Sequence, residues 1–208
     1  MTGSFLDEPP LTPRAQALYD EDVTEGGFVW NVSRLWAYQP ETMEQLFGLM
    51  SEAFRPSGLN FRHRGILVTA TASALGDSYC SLAWGGKLAG AADAGLAAAV
   101  LSNSDEGLDE QEAAMASWAR KVVKNPNATT PPDVQELRDA GLSDAQVFAI
   151  TLFVSLRLAF STVNDALGAR PDAELVATLP PGVVAVVDYG RQPESAHGIA
   201  PPEHPGID

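Results

Sequence analysis

Apolar residues recur every three or four positions over most of this chain, the spacing of helices that each bury one face. A first helix is predicted after Thr12-Pro13, a cap residue followed by a proline at the first helical position. It carries Ala17, Leu18 and Tyr19 and ends before Gly26-Gly27. Between Phe28 and Tyr38, the residues Phe28, Trp30, Leu35, Trp36 and Tyr38 crowd together. This cluster predicts a hydrophobic clasp that packs the N-terminal arm onto the body, with an aromatic ligand site as the other reading. Pro40 opens a helix with Met43, Leu46, Phe47 and Met50 on one face, stopped by Pro56-Ser57-Gly58. The next helix runs from Asn60 to Leu75, and Gly76-Asp77 breaks it. Asp77 is placed to cap a following helix through Tyr79, Leu82, Trp84 and Leu88, which continues into the alanine-rich Ala89 to Leu101.

Beyond a loop at 102–107, Asp109 and Glu112 have the spacing of a capping box, and Met115, Ala119 and Val122 share one face of the helix they start. Thr130-Pro131-Pro132 starts a short helix that Gly141 ends. Ser143 and Gln146 form another capping box. From there to Leu167 the pattern is apolar nearly all round, which predicts a central, buried helix. Asp172 to Thr178 adds a short helical turn. Pro180, Pro181, Pro193, Pro201, Pro202 and Pro205 predict a largely extended end. The one strand-like run, Gly182 to Asp188, is too isolated to form a sheet. The fold class is therefore all-α: an N-terminal arm and aromatic clasp over 1–39, a helical domain over 40–178 and an extended Pro-rich tail over 179–208.

Charge and composition narrow the partners. With 27 acidic against 13 basic residues the net charge is −14. Such a surface repels phosphate backbones and anionic lipid, so neither nucleic acid nor membrane is expected as a partner. Ala145 to Phe160 is interrupted by Gln146, Thr151, Ser155 and Arg157, short of the roughly 18 uninterrupted apolar residues of a spanning helix. No basic region followed by an apolar run opens the chain, and its single cysteine, Cys80, cannot form an intrachain disulfide. Both features point to the reducing cytoplasm.

Few residues carry candidate chemistry. There is no G-x-G-x-x-G, P-loop or nucleophile elbow, and His63, His197 and His204 share no metal-ligand spacing, so neither cofactor nor metal is expected. Arg157, inside the apolar helix, is read first as a structural ion pair or a snorkelling side chain, and second as an anion-binding group. Asn164-Asp165 is read as a cap or an interhelical bond.

The order of segments around Cys80 carries a resemblance. A helix ends in a short polar break, and Tyr79-Cys80 stands at the head of a second helix that runs into small residues. Leu108-Asp109-Glu110-Gln111-Glu112, Trp118 to Val122, Asp133 to Asp144 and Phe160 to Gly168 follow. This succession, from Pro40 to Leu175, resembles the peroxidase-related branch of the alkylhydroperoxidase D-like (AhpD-like) family, in the carboxymuconolactone decarboxylase superfamily. The resemblance implies a multi-helix bundle, assembly as a homo-oligomer through helical faces, and a redox motif Cys-x-x-Cys-x-x-x-His with a Glu on the preceding helix. Laid on this chain, the second cysteine is Cys80. The first falls on Asp77, the histidine on Trp84 and the glutamate on Gly65.

Each replacement has a chemical consequence. A sulfenic acid on Cys80 has no neighbouring thiol with which to close a disulfide, so an external thiol is needed as reductant. Trp84, one turn after Cys80 on the same face, donates a hydrogen bond but accepts none, and Gly65 has no side chain. His63 points to the opposite side of its helix and does not substitute for the base. Cys80 lies in a first helical turn, which favours the thiolate, while Asp77 beside it disfavours it, and Lys87 is two turns away. Two functional expectations follow. One is a one-cysteine, thiol-dependent hydroperoxide reductase, with Tyr79 and Trp84 shaping its pocket. The other is a catalytically degenerate family member, a scaffold or small-molecule binder, with Ala89 to Ala99 and the tail at a subunit contact.

Overall fold

Side chains supplied locally by the sequence set where the helices begin. In the computed structural model, which describes residues 3–194, Thr12 accepts from the Ala15 amide and starts α1 (Pro13–Gly26). The helices that follow are α2 (Asn31–Trp36), α3 (Pro40–Phe54), α4 (Phe61–Leu75), α5 (Ser78–Ala91), α6 (Ala94–Leu101) and α7 (Glu110–Lys124). Then come α8 (Pro131–Asp139), α9 (Asp144–Ala166), α10 (Ala173–Ala177) and α11 (Pro181–Ala185), with no strand among the described residues. Asn60, Asp109 and Ser143 close capping boxes with His63, Glu112 and Gln146, and Asp77 caps α5. The fold is all-α.

The core is built around α4, whose residues from Gly65 to Ala72 are all buried. It packs against α5, α6, α7 and α9, while α3 lies along α9. A side chain at Gly65 would put its Cβ 3.2 Å from Leu88 Cδ1, so α4 and α5 pack closely at this glycine and a Cβ there would require Leu88 to give slightly.

Several expectations are corrected. The helix from Asp77 does not run on through Leu101. It ends at Ala91, and Asp93 caps a separate α6 by accepting from the Leu96 amide at 2.8 Å. The alanine-rich segment uses Leu96, Ala97, Val100 and Leu101 inside the chain, against α4, α5 and α11. Helix α9 is not buried all round. Phe148 is 71% exposed and Leu152 and Val163 are also on the surface, so the helix at the centre is α4. By length and composition α9 could cross a membrane, yet it packs against α3, α4, α7 and α8 and buries Arg157 and Asn164. The clasp contains a helix, α2. Its Trp36 stacks on Phe160 at 5.4 Å and donates through Nε1 to Asn164 Oδ1 at 2.8 Å.

The start of the tail is also structured. Gly85 and Gly86 leave a groove on α5, where added Cβ atoms would meet Val183 Cγ1 at 2.9 Å and Leu179 Cδ2 at 2.4 Å. Val183, on α11, is fully buried there. His197 and His204 lie outside the described residues.

Candidate functional site

A cavity of about 660 Å³ opens between α1, α2, α3, α4, α5, α9 and α10. Its walls include Trp30, Phe47, Phe61, Trp84 and Phe160. Cys80 lies on the floor, and Arg64 and Lys87 line it as well.

The surroundings of Cys80 follow from its place in the first turn of α5. Its backbone amide donates to Asp77 Oδ1 at 2.9 Å, so the cap rather than the sulfur takes this helix-end donor. The sulfur instead receives side chains from α9. Arg157 Nη2 donates to Sγ at 3.4 Å, and Ser161 Oγ lies 3.6 Å from it. Arg157 and Ser161 are one turn apart, so both reach the same spot. Burial, followed by the Asp77 carboxylate, pushes the thiol well above its ordinary pKa, while Arg157 and Ser161 pull it down. The resting group is a neutral thiol at pH 7.

The cavity is cationic. Arg157 is buried and meets no carboxylate among the described residues, its other polar contact being Met50 Sδ at 3.9 Å. Its Nε and that of Arg64 are buried without hydrogen-bond partners. Three positive groups surround the Trp84 ring: Lys87 Nζ at 4.9 Å, Arg64 Cζ at 5.5 Å and Arg157 Cζ at 5.6 Å from its centroid. Burial lowers the pKa of Arg64 and of Lys87, with Arg157 the next cause for each. Behind the cavity, Tyr79 donates to Asp172 Oδ2 at 2.5 Å, and Asp172 also receives the Asn31 amide at 2.8 Å. Burial still raises Asp172 to about 6.

No family model matches the sequence, and no curated protein sequence matches it either. The fold does match solved structures. An uncharacterized peroxidase-related protein from Ralstonia eutropha JMP134, described as an alkylhydroperoxidase AhpD core, superposes with a TM-score of 0.73 at 25% identity. The match covers 83% of this chain and 94% of that one. A second uncharacterized peroxidase-related protein, from Silicibacter sp. TM1040, gives 0.74 at 21% identity, over 84% and 95% of the two chains. The chain belongs to the alkylhydroperoxidase D-like superfamily. The debrominase Bmp8 has the same fold, with a TM-score of 0.67 at 15% identity over 86% of this chain and 96% of its own.

The positions on which the resemblance laid the family motif fall into two groups. Tyr79, Cys80 and Trp84 line the cavity. Asp77 is fully buried beneath Cys80, and Gly65 is buried against Leu88; neither lines the cavity. His63 Nδ1 accepts from the Asn60 amide at 3.2 Å, which spends it on capping α4. The reading of Arg157 as an ion pair or snorkelling side chain is corrected: it is buried and turned to the sulfur, because α9 presents it beside Trp84 and Phe160. Arg64 and Ser161 escaped the sequence reading. Ser161 carries a signal, its one-turn spacing from Arg157. Arg64 carries none, because nearby Arg62 looks alike in sequence yet pairs with Glu112 Oε1 at 2.6 Å.

Proposed function

We propose that this protein is a one-cysteine alkylhydroperoxidase D-like oxidoreductase that reduces an organic hydroperoxide at Cys80 with electrons from an external thiol. The observation that carries the reading is the sulfur itself. It forms part of the cavity wall and faces Arg157 and Ser161, a positive charge and a hydroxyl suited to hold a thiolate. In the reaction the Cys80 thiolate attacks the outer oxygen of the hydroperoxide and the O–O bond breaks. The alkoxide leaves as the alcohol, taking up the proton that the thiol released, and Cys80 becomes the sulfenic acid. One external thiol condenses with it to a mixed disulfide, releasing water. A second thiol displaces Cys80 and leaves as the disulfide.

The cavity volume and its aromatic walls support a substrate with an apolar body. A variant of the debrominase Bmp8 with a cysteine replaced by alanine was solved in complex with 2,3,4-tribromopyrrole, over 88% of this chain at a TM-score of 0.67. That precedent supports reading the cavity of this fold as a seat for a small ring. Assembly as a homo-oligomer belongs to the same proposal, and a monomeric mass by light scattering would count against it.

The test is consumption of cumene hydroperoxide with dithiothreitol as reductant, by wild type and Cys80→Ser, with mass-spectrometric trapping of the sulfenic acid. Wild-type turnover above the variant's, with a trapped adduct on Cys80, is the expected result. Equal rates would refute it. A second reading, a binder in which Cys80 only packs, is favoured by the sulfur's burial, with 2% of the residue exposed. Labelling of Cys80 only after denaturation would select it.

A further inference from the structure

We infer that the cavity takes an organic monocarboxylate, its carboxylate seated on Arg64 and Lys87 and the far end of its apolar body, where a hydroperoxide substrate carries its reacting group, directed to Cys80. The placement deepens the thiol reading by naming a substrate class, yet its binding half stands without any turnover. Three positive groups converge on the Trp84 ring and line the cavity. A cluster of that kind is ordinarily offset by carboxylates. The acidic residues along the wall are Asp22 and Glu25. Asp22 is committed elsewhere, its Oδ2 accepting the Trp30 amide at 3.1 Å. Glu25 is exposed and acts on the Lys87 charge from a distance, without an ion pair to it among the described residues.

The Nε atoms of Arg64 and Arg157 are buried with no partner among the described residues, and Arg157 itself is only 3% exposed. A buried donor without an acceptor is costly, and an incoming oxyanion supplies the acceptor. Arg157 is already turned to the sulfur, so the carboxylate falls to Arg64 and Lys87, which are more open to solvent. The same geometry limits the anion to one small group. Around the cations the walls are aromatic and aliphatic, including Phe61, Phe160 and Leu179.

The test compares 1-naphthoate with its neutral isostere 1-naphthamide by isothermal titration calorimetry on the full-length protein. Naphthoate is expected to bind about tenfold more tightly or better, the worth of one charge-assisted contact. In Arg64→Gln/Lys87→Gln its affinity should fall to that of naphthamide. Naphthamide binding should persist in the variant, which shows that the cavity is still formed. Equal affinities in the wild type, or no binding of either probe, overturn the inference. A kinetic arm compares cumene hydroperoxide with its para-carboxylate, for which kcat/KM should be higher by a similar factor. Cys80→Ser should keep the naphthoate preference and lose turnover. If that variant turns over as fast as wild type while the preference persists, the thiol reading falls and the anion site stands. If the preference is absent while turnover depends on Cys80, the anion site falls and the thiol reading stands.

Discussion

Replacing Asp77 by asparagine separates two effects of one carboxylate. Asp77 Oδ1 caps α5 by accepting the Cys80 amide at 2.9 Å, and asparagine offers an equivalent oxygen. Asp77 Oδ2, in contrast, is buried without a partner among the described residues, in a side chain with 0% exposure. Its charge also raises the pKa of both Cys80 and Asp165. A buried carboxylate with one oxygen left unpartnered is costly, and a neutral amide that keeps the cap recovers part of that cost, so Asp77→Asn should stabilise the fold by about 1–2 kcal/mol. Asp77→Ala removes the same charge and also the cap, and should fall about 1 kcal/mol below Asp77→Asn. Urea unfolding of the three proteins at one pH, with a shared slope, measures both differences. The thiol reports independently: without the carboxylate, Cys80 becomes more acidic, and its thiolate ultraviolet absorbance should rise at lower pH. An Asp77→Asn protein less stable than wild type, or a thiol that titrates higher, would refute the reasoning.

Three further predictions concern the surrounding structure. Burial, then Asp77, raises Asp165 to about 7, and burial raises Asp172 to about 6. Each binds its proton more tightly folded than unfolded, so their contribution is full below about pH 4 and is lost as pH climbs through 6 and 7. Discounted for its partial exposure, the Asp165 contribution is about 1 kcal/mol, and Asp165→Asn should flatten that fall in urea midpoints measured against pH. Trp36→Phe removes the bond to Asn164, whose Nδ2 is already buried without a partner, and should cost about 1–3 kcal/mol in the same assay. Gly85→Ala would bring a Cβ to 2.9 Å from Val183 Cγ1 and 3.0 Å from Leu101 Cδ1. It should cost about 1–3 kcal/mol and speed proteolysis around α11; an unchanged digestion pattern would mean that α11 is not held by this groove.

Helix starts were the most legible feature because caps are local. Thr12, Asn60, Asp77, Asp109 and Ser143 each act within three residues of themselves, so the signal and the structure it specifies occupy the same short stretch. The break before α6 was missed although Asp93 is a cap of the same kind, because the alanine run around it keeps helical spacing on both sides. The exposed face of α9 was missed because an apolar surface residue such as Phe148 reads the same as a buried one. Helix α11 was missed for a nonlocal reason: Val183 is buried only because Gly85 and Gly86, about a hundred residues earlier, leave it room. Among site residues, Cys80 and Trp84 were legible from their spacing on α5. Arg157 stood out as a charge inside an apolar helix, with anion binding as its second reading, while Arg64 did not stand out; the lack of a carboxylate partner that marks both depends on the packing of α4, α5 and α9.

The departures from the family motif are physically linked. A glutamate at position 65 would bring its Cβ to 3.2 Å from Leu88 Cδ1, so Leu88 would have to shift by a few tenths of an ångström to admit it. Trp84 accounts for the cations around it. An imidazole at that position would lie among Arg64, Lys87 and Arg157, where like charge opposes its protonation and leaves it ineffective as a proton relay. An indole presents a negative face instead and draws the same three groups toward it. Where the resemblance expects a histidine, the chain therefore has no proton carrier and a positive wall instead. Arg157, held between Trp84 and Phe160, is the member of that wall that reaches the sulfur. Trp84, at the position where the resemblance expects the relay, thus flanks the guanidinium that would hold the Cys80 thiolate in the proposed reaction.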